Sequence, residues 1–178
     1  MSSSVMLVIG GQKSGKSRYA EGLVAETGLR RVYVATATAG DSEMAERIAR
    51  HRARRGDAWH TVEVPLDLAG ALARAAGPER AVLVDCLTLW LSNLIAAARP
   101  VDTETDRLLA AVAAAAGPVV LVTNEVGAGI VPDNALARTY ADALGVLNQR
   151  VAAVAGRVVL VAAGLPLVLK ATVAEPVR

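Results

Sequence analysis

The stretch VMLVIGGQKSGKS, Val5 to Ser17, decides the fold. Val5 to Ile9 form an apolar, partly β-branched run that reads as a buried strand. The run enters Gly10, then Gly15-Lys16-Ser17, which satisfies G-x-x-x-x-G-K-[ST]. The spacing has a physical cause. Two glycines let the backbone curl until successive N–H groups aim at one phosphate, and a following helix adds its positive N-terminal end. Lys16 then neutralises the β- and γ-phosphates, and the Ser17 hydroxyl ligates Mg²⁺. The competing reading, a plain glycine turn, is disfavoured because a strand precedes the motif and an amphipathic segment, Arg18 to Ala25, follows it. The motif specifies a nucleoside triphosphate without saying which one.

Working outward, the rest of the chain repeats the alternation of strand and helix. Val32 to Ala35, Trp59 to Val64, Ala81 to Val84, Val119 to Val122 and Arg157 to Val161 read as strands, with a short last one over Leu167 to Lys170. The Trp59 strand suits a sheet edge. Helices are predicted from an Asp41 cap through the arginine-rich ERIARHRARRG, over Asp67 to Ala76, and after Asp85 with Leu87, Leu91 and Leu94 at helical spacing. Two more run from Asp102 or Thr103 to Ala116 and from an Asn134 or Asp133 cap to Ala155. This pattern predicts one α/β domain over residues 1–178, a mostly parallel sheet with helices on both faces and ligands at the carboxyl ends of the strands.

Composition narrows the class. The chain has 178 residues, 53% of them apolar, with no Phe, which suits aliphatic packing of helices on a sheet. A net charge of +2 is too small to imply nucleic-acid binding. A single cysteine, Cys86, points to a reducing cytoplasm, and no segment reads as a signal peptide or a membrane span.

Beyond the phosphate loop, Asp85 ends the apolar run AVLVD, where a second carboxylate orients Mg²⁺ in phosphate-loop proteins; otherwise it caps the next helix. His51 lies among Arg47, Arg50, Arg52, Arg54 and Arg55, a setting for a neutral imidazole that attacks a phosphorus atom or for a solvated basic helix face. His60 sits near a strand start, and Glu63 is either a nucleotide contact or an exposed strand carboxylate. Asn124-Glu125, followed by Gly127 and Gly129, looks like a substrate loop and departs from the guanine-reading N-K-x-D motif.

Several of these stretches together resemble one family. GGQKSGKSRYAE, the Ala35-Thr36 pair, DSEMAERIARHRARRGDAWHTVE, LVTNEVGAGIVPDNALAR and LNQRVA are similar to the bifunctional adenosylcobinamide kinase / adenosylcobinamide-phosphate guanylyltransferase of cobalamin biosynthesis. The similarity runs from Met6 to Lys170. R-I-x-x-H and V-T-N-E-V-G-x-G-I-V-P are its specific parts. The resemblance implies phosphorylation of adenosylcobinamide, then transfer of GMP from GTP to that phosphate through a guanylylated histidine, giving adenosylcobinamide-GDP and pyrophosphate. By motif position that histidine is His51, and His60 does not match. It implies nucleotide contacts (GTP, and ATP) at Gly10, Gly11, Gln12, Lys13, Ser14, Gly15, Lys16 and Ser17. Further contacts fall on Ala35, Thr36, Ala37, Arg52, Ala53, Arg54, Arg55, Glu63 and Asp85, with Mg²⁺ held by Ser17 and Asp85. Some members carry Glu where Asp85 stands, one methylene longer. A RecA-like fold, a corrinoid substrate, a cytoplasmic homotrimer and no nucleic-acid partner complete the expectation. Two other readings stay open on the residues alone: a simple small-molecule kinase with His51 structural, and a RecA-like ATP-driven module whose arginines contact nucleic acid or a protein.

Overall fold

The computed structural model describes residues 5–38 and 42–171; the side chains of Glu43, Met44, Arg47, Ile48, His51 and Arg54 lie outside that description. The Asp41 cap and Gly40 also fall outside it. The order is β1 (Val5–Gly10), α1 (Lys16–Glu26), β2 (Arg30–Ala35), α2 (Ser42–Arg55), a short 3₁₀ turn (Gly56–Ala58), β3 (Trp59–Glu63), α3 (Leu68–Ala75) and β4 (Arg80–Asp85). Then follow α4 (Leu87–Ala96), α5 (Val101–Ala113), β5 (Val119–Asn124), α6 (Ala135–Val154), β6 (Arg157–Ala162) and β7 (Leu165–Ala171).

The seven strands form one sheet in the order β3-β2-β4-β5-β1-β6-β7, parallel except for β7. The strands alternate between two apolar faces, as a period of two requires. Leu7, Ile9, Val82, Val84, Val119 and Leu121 face a large core closed by α3, α4, α5 and α6. Val8, Leu83, Val120, Val122 and Val161 face a smaller core filled by Ala20 and Val24 of α1. Helices on both faces match the expectation, and β3 is indeed an edge.

Several strands run one or two residues beyond the sequence reading, as β5 does to Asn124, and two elements differ more. α5 begins at Val101, behind Pro100, and ends at Ala113, short of Ala116. The chain unwinds there because Gly117 must pass against the carbonyls of Gly77 and Arg80, where a Cβ would collide. The last strand is longer than Leu167 to Lys170 and runs antiparallel to β6. Its turn is Ala163-Gly164, both at positive φ (52° and 80°), the conformation of a tight hairpin. β7 leaves Leu165, Leu167, Val168 and Leu169 exposed. No helix among the described residues is long and apolar enough to cross a membrane.

Candidate nucleotide site

The site gathers at the carboxyl ends of β1, β2, β4 and β5, because strands buried on both faces leave their loops as the only free backbone there. The phosphate loop spans the gap between Gly10 and α1. Gly10 lies so close to the Val161 carbonyl and the Ser14 side chain that no larger residue fits. Gly15 adopts φ 96° and caps α1, a left-handed conformation that glycine takes without strain. Neighbours pin the loop from both sides: Gly164 N–H donates to the Ser14 carbonyl at 2.8 Å, and Glu125 N–H to the Gly10 carbonyl at 3.2 Å. The Lys16 ammonium is buried and donates to the Gly11 carbonyl at 3.0 Å.

β5 lies between β1 and β4, so Asp85 reaches the loop across the end of a strand. The Ser17 hydroxyl donates to Asp85 Oδ1 at 3.4 Å, and the Tyr33 hydroxyl donates to Asp85 Oδ2. Burial and the Asp85 carboxylate push the Tyr33 phenol far above its ordinary range, so it stays protonated and remains a donor. The Arg55 guanidinium lies 3.3 Å over the centre of the Tyr33 ring, and Trp59 meets that ring edge-on at 5.8 Å.

These groups border a cavity of about 720 Å³. Gln12, Lys16, Ser17, Tyr33, Ala35, Ala37, Arg55, Glu63, Asp85, Asn124 and Glu125 are among its walls. A nucleotide fits this donor set. Arg55, which borders the cavity, has its Nε buried with no hydrogen-bond partner among the described residues, and an anionic ligand there supplies acceptors for the guanidinium. Mg²⁺ fits too: a hydroxyl and one carboxylate beside a phosphate cradle are the sparse oxygen set this ion takes when phosphates and water complete its shell.

The other expected site residues divide. Thr36 is fully buried and turned away from the cavity: its hydroxyl bonds the Cys86 carbonyl and accepts from the Cys86 N–H, both at 2.8 Å, stapling β2 to the end of β4. Arg52 and Ala53 line a second concavity with Trp59 and His60, and Arg55 borders both hollows. The Arg54 and His51 side chains lie outside the described residues, although the backbone of both is in α2. Sequence reasoning passed over Tyr33, yet a lone aromatic inside the aliphatic run of β2, in a chain with no Phe, was a usable signal. It also missed the polar brace behind Asn124, where Thr88 Oγ1 accepts from the Asn124 N–H at 2.9 Å and Asn148 donates to the Asn124 carbonyl at 3.0 Å.

Residues 6–169 match the cobinamide kinase / cobinamide phosphate guanyltransferase family. The chain belongs to it. The bifunctional adenosylcobalamin biosynthesis protein CobP of Pseudomonas aeruginosa is 50% identical over 166 residues, 92% of this chain and 96% of that one. The corresponding protein CobU of Salmonella typhimurium is 39% identical over 93% of this chain and 99% of its own. Membership assigns the chain the pair of activities in the family's description, cobinamide phosphorylation and guanylyl transfer to cobinamide phosphate. Among solved structures, the flagellar accessory protein FlaH of Methanocaldococcus jannaschii superposes with a TM-score of 0.52 at 12% identity, covering 95% of this chain and 79% of FlaH. The ATPase domain of G40P gives 0.50 at 11% identity, covering 88% and 68%. These two likenesses bear on the fold alone, which is RecA-like.

Proposed function

We propose that this cobinamide kinase / guanylyltransferase phosphorylates adenosylcobinamide with GTP or ATP, then moves GMP from GTP onto that phosphate by way of His51. The observation that carries the reading is one cavity walled by the phosphate loop, Asp85 and Arg55, with His51 one turn of α2 before Arg55. In the first reaction the substrate hydroxyl oxygen attacks the γ-phosphorus and gives up its proton to solvent, the bond to the β-phosphate oxygen breaks and the nucleoside diphosphate leaves. Lys16 and the loop N–H groups hold the oxygens on which charge accumulates. Ser17 and Asp85 would hold Mg²⁺, which supplies charge neutralisation between the phosphates.

In the second reaction a neutral His51 nitrogen attacks the α-phosphorus of GTP. The N–P bond forms, the α–β bridge breaks and pyrophosphate departs. A phosphate oxygen of the substrate then attacks the same phosphorus, the N–P bond breaks and adenosylcobinamide-GDP results. Imidazole suits both halves, because it is neutral near pH 7 and leaves readily once protonated. Arg52, Arg54 and Arg55 would accompany the nucleotide, and Glu63 would border it from β3. A cytoplasmic homotrimer is part of the same proposal; the exposed apolar edge strand β7 and the lone buried Cys86 support it.

The test uses α- and γ-labelled GTP in parallel. The protein should retain only the α-label, in a bond that acid cleaves and alkali spares. His51→Ala should lose that label and GMP transfer while keeping kinase activity, and His60→Ala should keep both. Equal α-labelling of His51→Ala would remove His51 from the chemistry.

A further inference from the structure

We infer that Tyr33 is a positioning residue of this site: its hydroxyl fixes the Asp85 carboxylate toward Ser17, and its ring face seats Arg55 in the nucleotide cavity. The inference rests on the proposed role of Ser17 and Asp85 in holding Mg²⁺.

Four contacts carry it. Asp85 has two carboxylate oxygens with different partners: Oδ1 accepts from Ser17 and Oδ2 from Tyr33. A carboxylate at a strand end turns freely unless one oxygen is held, and here the phenol holds the oxygen away from the loop. Oδ1 is thereby left pointing at the Ser17 hydroxyl. The phenol is itself aimed by its surroundings. Tyr33 is only 2% exposed, Trp59 blocks one direction edge-on and Arg55 covers a ring face at 3.3 Å. Arg55 gains in return. Its Nε is buried without a partner among the described residues, and the ring face supplies the cation with a stabilising surface where the guanidinium borders the cavity. Packing alone would be served by Phe or Leu at this position in β2. The hydroxyl is what the arrangement adds.

Tyr33→Phe removes the hydroxyl and keeps the ring, Trp59 contact and Arg55 seat. The concentration of Mg²⁺ that half-saturates binding of a non-hydrolysable GTP analogue, followed by calorimetry, should rise about tenfold, the size expected for one hydrogen bond to a charged group. In both reactions kcat should fall more than the KM for nucleotide rises. Asp85→Asn should weaken the Mg²⁺ response further, and adding Tyr33→Phe to it should change little more, since the phenol acts through that carboxylate. Tyr33→Leu should additionally weaken metal-free nucleotide binding by loosening Arg55. A wild-type Mg²⁺ response in Tyr33→Phe would overturn the inference. So would an effect of Tyr33→Phe that is as large in the Asp85→Asn background as alone, which marks a packing residue. If Asp85→Asn leaves the Mg²⁺ response intact, the metal site itself is wrong and the inference falls with it. If Asp85→Asn abolishes the response and Tyr33→Phe does not touch it, only the inference falls.

Discussion

The two walls of the nucleotide cavity are built differently. The phosphate-loop wall is held by contacts to strands far away in sequence: the β6–β7 turn through Gly164, the β5 end through Glu125, and β2 and β4 through Tyr33 and Asp85. The α2 wall exposes Ser42, Ala45, Glu46, Ala49, Arg50, Arg52 and Ala53 and reaches the cavity through Arg55. A rigid cradle suits the group common to both reactions, the triphosphate. On the proposed mechanism, the wall that carries His51 adds a nucleophile that only guanylyl transfer uses. The contrast therefore teaches that damage to the cradle should strike both activities, and damage along α2 should separate them.

The largest expected effect is on the cradle. Lys16→Ala should lower kcat/KM of both reactions by roughly 10²–10³-fold, the scale for removing one preorganised charge-stabilising donor. Near-wild-type rates for either reaction in a folded Lys16→Ala protein would break the comparison. Asp85→Asn should reduce Mg²⁺-dependent turnover by about tenfold or more in both reactions while shifting Tm little, because an amide keeps the shape and loses the charge. An unchanged rate at saturating Mg²⁺ would make Asp85 a strand-end residue only.

Acidification sharpens the difference from the other side. Protonation removes the lone pair that a nucleophilic imidazole needs, so guanylylation should fall on acidification. Phosphoryl transfer to the substrate hydroxyl uses no such nucleophile and should fall less. Parallel pH profiles for the two activities that coincide would argue that α2 serves both.

The smallest effect should come from Thr36→Val. It keeps the volume but leaves the Cys86 N–H without its acceptor, at a loss of about 1–3 kcal/mol of stability. Nucleotide affinity should hold, and a calorimetric titration with GTP checks it. A large loss of affinity without loss of Tm would return Thr36 to the binding surface.

What was legible in the sequence follows from the range of the interactions. The β1–loop–α1 unit, the alternating elements and the Asn134 cap are local, and each could be read within a dozen residues. Asp85 was legible because an acid after an aliphatic run is a local event. Its partner was not: Tyr33 and Asp85 are 52 positions apart and meet only because β2 and β4 pair in register at Ala35 and Asp85. Thr36 looked like a loop contact because its bonds to residues 85 and 86 are equally remote. The hairpin before β7 escaped because its turn uses Ala163 at φ 52° where Asn or Gly is the usual signal.

The place of β1 in the sheet has a consequence for synthesis. β1 is the first strand made, yet its two neighbours are β5 and β6, and the turn that clamps Ser14 follows β6. On the ribosome the phosphate loop therefore emerges before β5, β6 and the turn that flank it, and waits for all three. Pairing across such a separation is slow, and an unpaired aliphatic strand is open to non-native contacts meanwhile. Nucleotide can then reward folding only at the end. A chain cut after Val154 should keep α3 to α6 in part and bind no GTP, and tight GTP binding by that fragment would show that the cradle forms without β6 and its turn.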